Sequence, residues 1–279
     1  WWKARSASLS FKKDIKMKPL VFKCKIKDKQ RLDMSWLSKI KTSSLSNIKN
    51  LRVNYGTKEY KLSTLFDISG NNFKDIIISN SNKHLDNIGN NLEDKKITIF
   101  GNVGFGLAKG MCSGEIILNG NAGKNACSGM KGGSVHILGN ADDGFCSLPT
   151  SMNEGLVDGF IYVQKNVGDN SIVRMRRGNI IIGGNIGSGS CLELISGSVV
   201  VLGKIGNNFC HNARRGTIFT RDKSICREYI RANQTDLTFF NFYKIKINKI
   251  LNKSIINSSK PLRYFGTKSG KELMELFVI

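Results

Sequence analysis

The chain has 279 residues, 40% of them hydrophobic, with 43 Lys or Arg against 21 Asp or Glu and a formal charge of +22. That length admits one long repetitive domain or two ordinary ones, and no apolar run reaches the roughly 18 residues of a membrane-spanning helix, so no membrane span is expected. The charge suggests nucleic-acid binding, but residues 1–60 hold 16 basic against 4 acidic residues, residues 221–279 hold 12 against 5, and residues 61–220 only 15 against 12. The excess is mostly Lys in flanks also rich in Asn, Ile and Ser, which reads as compositional drift rather than a face built for a polyanion.

Residues 1–16 start Trp1-Trp2-Lys3 and precede Met17; they read as an upstream extension or a fragment boundary. They lack the apolar core of a secretory signal, so a cytoplasmic location is expected. Residues 17–73 form a mixed N-terminal cap region. Within it, residues 20–26 alternate like a strand, residues 33–48 suit a short helix and loop, and residues 51–55 and 60–62 suit a hairpin around Gly56. Residues 73–79 look like a degenerate first repeat.

From residue 95 a ten-residue phrase recurs: Gly, any residue, Ile or Val, any, aliphatic, any, Gly, Asn, aliphatic, Gly. Copies start at Lys95 (degenerate), Gly114, Gly133, Gly159, Gly178, Gly197 and Gly216, in steps of 19, 19, 26, 19, 19 and 19. A fixed period means one unit stacked on itself. Inside each unit the apolar positions alternate, as in Ile116 and Leu118 or Val199 and Val201, which predicts a strand with one buried face. The following Gly-Asn pair predicts a turn. Nineteen residues are too few for a strand plus a full helix. The expected fold is therefore all-β: a right-handed parallel β-helix over residues 74–220. The seven extra residues of the long step fall within residues 144–154 and must leave the stack as a loop. Residues 221–279 are expected to form a helical tail, with helices at 222–233 and 272–277, that caps the stack or lies along a face.

In such a stack, residues one period apart are neighbours about 4.8 Å apart, so columns matter more than linear motifs. Six residues before each phrase start stand Ala108, Cys127, Asn153, Ile172, Cys191 and Cys210. No Cys-x-x-Cys pair exists, and the column reads as an interior ladder in which Cys serves as a small hydrophobe, not as a metal site. The outward strand column holds Thr98, Ile117, His136, Tyr162, Ile181, Val200 and Phe219. Its last four members would form an apolar patch that the tail, with Phe239, Phe240, Phe242 and Tyr243, or a partner must cover.

A third column is basic. Lys131-Gly132, Val157-Asp158, Arg176-Arg177, Ile195-Ser196 and Arg214-Arg215 immediately precede successive phrases, and Arg174 lies close by. The two Arg pairs fall two units apart, about 10 Å. Arginine forks suit carboxylates and phosphates, so Lys131, Arg174, Arg176, Arg177, Arg214 and Arg215 form a candidate anion-binding or docking stripe; a solvated corner is the plainer reading. His84, His136 and His211 have no partner at ligand spacing, and neither a nucleophile elbow nor a phosphate-binding loop is present. No catalytic residue, metal or cofactor is assigned to the chain.

Phrases such as Gly114-Glu115-Ile116-Ile117-Leu118-Asn119-Gly120-Asn121-Ala122-Gly123 resemble the GXGXG solenoid of glutamate synthase large subunits and of the C-type chain of formylmethanofuran dehydrogenase. The Met130-Lys131-Gly132-Gly133 corner is similar to the Met-x-Gly-Gly of that C-type chain. Met175-Arg176-Arg177-Gly178, Ala213-Arg214-Arg215-Gly216 and the longer unit with Leu148-Pro149 look like the bacterial branch, the gamma subunit of the formyltransferase/hydrolase complex. The resemblance spans residues 50–220. It implies a non-catalytic subunit whose partners are the other chains of that complex, which exchanges a formyl group between tetrahydromethanopterin and a methanofuran-type carrier and releases formate. The carrier's polyglutamate arm is an anion that the Arg stripe could meet. The alternative it leaves open is a glutamate-synthase-type bracing domain. A polysaccharide-acting β-helix is disfavoured, since no carboxylate cluster lines one face.

Overall fold

The computed structural model describes residues 17–27, 29–40, 44–149, 152–232, 237–252, 254–257 and 261–279; the reading of residues 1–16 lies outside them. The chain runs through β1 (Pro19–Cys24), β2 (Leu32–Asp33), α1 (Trp36–Lys39), α2 (Leu45–Asn50), β3 (Arg52–Tyr55), β4 (Lys58–Lys61), α3 (Leu62–Leu65) and β5 (Phe66–Ser69). There follow β6 (Asn72–Ser81), β7 (Leu85–Asp86), β8 (Lys96–Gly101), β9 (Glu115–Asn119), β10 (Ser134–Ile137), β11 (Phe160–Val163), β12 (Asn179–Ile182), β13 (Ser198–Val201) and β14 (Thr217–Thr220). The tail holds a 3₁₀ turn (Lys223–Glu228), β15 (Tyr229–Arg231), α4 (Thr238–Leu251), β16 (Leu262–Thr267) and β17 (Glu275–Val278).

Thirteen strands form one sheet in the order β15-β16-β17-β14-β13-β12-β11-β10-β9-β8-β6-β1-β5. From β8 to β14 each strand pairs in parallel with the next, and the pairing register is the sequence period: Ile116 meets Val135, Val135 meets Ile161, and Ile161 meets Ile180. The inward residues of these strands, from Ile97 and Ile99 to Val199 and Val201, are buried. A second line of parallel bridges joins Ala122, Ala141, Val167, Ile186 and Ile205. The chain thus meets its predecessor twice per unit. The Asn that follows the repeat strand does more than turn the chain. Asn121 N and Nδ2 donate to Asn102 Oδ1 (2.9 and 3.0 Å), Asn140 N to Asn121 Oδ1 (2.8 Å), Asn166 N to Asn140 Oδ1 (3.1 Å) and Asn185 N to Asn166 Oδ1 (2.9 Å).

The other corner of each unit alternates in backbone hand. Asn125, Cys127 and Gly129 are left-handed in one unit, and Gly189, Cys191 and Glu193 in another. The middle residues of successive units are Ala108, Cys127, Cys146, Ile172, Cys191 and Cys210, all buried and all at φ between 53° and 61°. Positive φ disfavours any side chain, most of all β-branched Ile172, so tertiary bonds must hold it. Ile172 N donates to Phe145 O (2.7 Å) and Cys127 N to Leu107 O (2.7 Å). Cys146, not Asn153, fills this column, because the extra residues of the long unit come after the corner; Asn153 is exposed. Burial pushes the Cys146 and Cys210 thiols up, each further through the neighbouring thiol, so they stay protonated and pack as small apolar groups. At the degenerate Lys95 copy the left-handed residue is Asp94 instead. At Gly114, a Cβ would run into the Lys95 carbonyl.

At the N-terminal end, antiparallel β5 closes the sheet on β1, and Phe22, Trp36 and Phe66 pack edge to face. β3 and β4 form the expected hairpin. β6 adds in parallel to β8 as a first repeat strand, and β1 adds in parallel to β6, so the N-terminal segment continues the same sheet.

The tail corrects the sequence reading. Of the helix expected at 222–233, the described residues 222–232 hold a 3₁₀ turn and β15 instead, and the helix expected at 272–277 is replaced by strand β17 from Glu275 on. β17 lies parallel to β14, pairing Phe219 with Phe277; the exposed edge of β14 supplies a ladder that outweighs helix propensity. Two carboxylates finish the last unit. Along the stack, Ala122 N donates to Asn140 O and Glu193 N to His211 O, each one unit ahead. After the last unit those carbonyls are missing. Asp222 Oδ2 accepts from Ile205 N (3.0 Å) and Glu272 Oε1 from Asn212 N (3.1 Å) in their place. Both carboxylates are buried. Burial raises Asp222, but bonds from Ser224 and Ile205 with the nearby Lys204 outweigh it and leave the group below its ordinary range. Burial likewise raises Glu272, and Thr267, the Asn212 amide, Ser269 and His211 together bring it below its ordinary range.

The outward column has two halves. Tyr162, Ile181, Val200 and Phe219 form a second buried cluster with Phe240, Tyr243 and Ile247 of α4, together with Ile255, Ile256 and Phe277. Phe219 stacks on Tyr243 (4.5 Å, 7°) and Phe277 (5.3 Å, 11°), and Tyr243 Oη is 3.1 Å from Asn179 Oδ1. The tail is therefore the cover. Phe240 and Tyr243 face the sheet, while Phe239 and Phe242 are exposed. Ahead of Tyr162, Thr98, Ile117 and His136 stay half-exposed.

Candidate functional site

The basic corner is built by main-chain bonds between units. Lys131 N donates to Met111 O, Val157 N to Met130 O, Arg176 N to Leu156 O, Ile195 N to Met175 O and Arg214 N to Leu194 O. One column therefore runs Lys131, Val157, Arg176, Ile195, Arg214, and the residues one place on run Gly132, Asp158, Arg177, Ser196, Arg215. Beneath it, Met111, Met130, Leu156, Met175, Leu194 and Ala213 are buried and anchor the corner to the core. Lys131, Arg176, Arg177, Arg214 and Arg215 are exposed; Arg174 is half-buried.

The arginines differ in their local partners. Arg174 Nη1 donates to Glu193 Oε2 (2.6 Å), and its Nε to Asn153 O (2.7 Å). Arg176 Nη1 donates to Glu154 Oε2 (3.2 Å). These two are thus tied within the chain. Glu193 stands one period after Arg174, so column counting had the signal. Glu154 lies in the long unit's insertion, where the register is lost. Arg177, Arg214, Arg215 and Lys131 form no ion pair among the described residues. What remains is an exposed strip with Arg177 and Arg215 in one column and Ser196 between them, about 10 Å end to end. Its guanidinium forks can bind carboxylates or phosphates.

The histidines are dispersed. His136 lies on the open sheet face against Phe160 and Tyr162 (5.8 and 6.3 Å between ring centres), and its burial lowers its pKa. His211 Nδ1 is 3.4 Å from Glu272 Oε1 at the C-terminal end, and His84 lies in the N-terminal part. Among the described residues, no three His, Cys, Asp or Glu side chains gather to hold a metal, and no helix is long and apolar enough to cross a membrane. A groove of about 430 Å³ follows the Asn ladder over Val103, Ala122, Ala141 and Val167. The ladder's Oδ1 atoms are spent on the next unit's amides.

No protein-family model matches the sequence, and no curated protein matches it. Among solved structures, the chain is similar to a chain of the crystal structure of the formyltransferase/hydrolase complex FhcABCD from Methylorubrum extorquens in complex with methylofuran. The two share 25% sequence identity at a TM-score of 0.79, over 92% of this chain and 98% of that one.

Proposed function

We propose that this chain is a non-catalytic structural and docking subunit of a formyltransferase/hydrolase complex in one-carbon metabolism, akin to the C-type chain of formylmethanofuran dehydrogenase. The observation that carries the reading is the near end-to-end similarity to a chain of FhcABCD. On this reading, residues 74–220 are a right-handed parallel β-helix of the GXGXG type, residues 17–73 cap its start and residues 221–279 close its end. The paired registers of strands and bridges support it. Hydrolase and transferase chemistry belongs to partner chains, which move the formyl group between tetrahydromethanopterin and a methanofuran-type carrier. Arg177, Arg214 and Arg215, with Lys131, face carboxylates from outside the chain, on the carrier's polyglutamate arm or on an acidic face of a neighbouring chain. Arg174 and Arg176 brace the same corner through Glu193 and Glu154.

Co-expression with the other subunits encoded in the same genome, followed by copurification and mass spectrometry, tests the assembly. In the same system, Arg177→Ser with Arg215→Ser should leave the melting temperature nearly unchanged and weaken assembly or carrier binding at least tenfold at low salt. Each desolvated Arg–carboxylate contact contributes about 1.5–3 kcal/mol, so two lost contacts exceed a factor of ten. A double variant that assembles and binds carrier normally reduces the strip to a solvated corner. Formyl-transfer turnover by the chain alone, abolished by a point substitution in it, overturns the non-catalytic assignment.

A further inference from the structure

The outward side of α4 is apolar where it should be polar. Phe240, Tyr243 and Ile247 face the sheet and are buried. On the other side, Phe239, Phe242 and Ile245 are 49%, 64% and 67% exposed. Phe242, Ile245, Lys246 and Lys249 follow the i, i+3, i+4, i+7 spacing of one helix face. The cover of the sheet thus carries a second face that nothing in the described chain covers. The helix cannot roll to hide it. Phe219 stacks on Tyr243, the tyrosine hydroxyl reaches Asn179, and Asn248 Oδ1 accepts from Ile255 N (2.8 Å) and Ile256 N (3.0 Å) just beyond the helix.

Charge narrows the occupant. Residues 237–257 contain Lys244, Lys246, Lys249 and Lys253 and no Asp or Glu. Lys246 and Lys249 are exposed and have no ion-pair partner among the described residues. A second copy of this helix would set lysines against lysines. A lipid surface would have to be met by an apolar strip of three side chains on a helix clamped to its sheet, whereas interfacial helices bury a whole face. A protein surface with an apolar groove and an acidic rim fits both the strip and the lysines. Alongside α4, the uncovered half of the same sheet face presents Ile117 and His136, with Phe100 and Leu138 exposed beside them, and widens the platform.

We infer that the outer face of α4, centred on Phe242 and Ile245 and flanked by Lys246 and Lys249, docks an acid-rimmed apolar groove on a partner chain. This inference rests on the reading of the chain as one member of a multi-chain complex. The face is distinct from the arginine corner, which precedes the repeat strands, whereas α4 lies on their outward column.

The test uses the full chain co-expressed with the other subunits of its complex, with assembly measured by native mass spectrometry and titration. Phe242→Ser with Ile245→Ser should weaken assembly at least tenfold while the melting temperature of the free chain holds. Lys246→Glu with Lys249→Glu should weaken it several-fold, more at low salt than at high, and this pair serves if the first variant folds poorly. Wild-type assembly that neither variant disturbs overturns the docking face and leaves the proposed function standing. A wild-type chain that joins none of the subunits overturns both. Variant-sensitive self-association of the free chain, or variant-sensitive binding to phosphatidylserine vesicles, replaces the partner groove with a second copy or a membrane and overturns the inference.

Discussion

One column of side chains on one sheet face meets two fates. From Tyr162 to Phe219 it is sealed beneath α4, and from Thr98 to His136 it stays half-exposed. The backbone register is the same throughout, so the difference lies in side chains. Tyr162, Ile181, Val200 and Phe219 give α4 a continuous apolar bed, whereas Thr98 and His136 interrupt it. The strand ladder therefore fixes where a residue stands, and the chemistry of the column decides what lies on it.

Removing the aromatic anchor breaks the contrast most directly. Phe219→Ala deletes the ring stacked between Tyr243 and Phe277 and should cost about 3–5 kcal/mol in chemical denaturation. Ile117→Ala, two strands before Tyr162 in the same column, should cost about 1 kcal/mol or less, since its side chain is already half in water. Equal losses at both positions would mean that the two halves are buried alike.

Acid probes how the end of the stack, beside the covered half, is closed. Asp222 and Glu272 both titrate below their ordinary ranges when folded, so their contribution is fully present above those ranges and is lost as pH falls through the folded values. Each bond to a charged acceptor contributes about 1.5–3 kcal/mol. Hydrogen exchange below about pH 4 should quicken at the Ile205 and Asn212 amides before it does at Ala122 or Ala141 in mid-stack. Glu272→Gln keeps an acceptor near Asn212 and should remove that site's acid dependence. Uniform acid loosening along the stack would refute a carboxylate closure.

The smallest effect belongs to the open half. Burial lowers the His136 pKa, so the fold favours the neutral ring, and its contribution is lost as pH drops from about 6.5 through the folded value. His136→Gln should flatten that dependence and change stability at neutral pH by about 0.5–1 kcal/mol, read from urea midpoints at pH 5 and 7.

What the sequence made legible is what repeats. The 19-residue step fixes the strand register, the buried column and the outward column, and it marks the apolar half that needs a cover. It also carried Arg174 and Glu193 as stacked neighbours. Legibility fails where the period breaks. Counting back from Gly159 places Asn153 at the corner, because an insertion leaves the register ambiguous on one side; counting forward from Gly133 finds Cys146. In α4, apolar residues at 239, 240, 242 and 243 fit either helix phase, and only the Phe219 and Phe277 rings select Phe240 and Tyr243. At β17, the free edge of β14 overrides local preference. The arginine corner was legible as a column, but the Glu154 partner of Arg176 was not, since it comes from the inserted residues.

The two carboxylates that finish the stack also set an order of events in synthesis. Ile205 waits 17 residues for Asp222, and Asn212 waits 60 residues for Glu272. A nascent chain thus completes every repeat before it makes the groups that seal the last one. Until then, the edge of β14 and the Phe219 end of the apolar column face solvent or a chaperone together, as a template for any passing strand. A message truncated after the repeats would yield a chain with all its regular units and no means of ending them, and the cell would meet it as an aggregation seed rather than as a shortened protein.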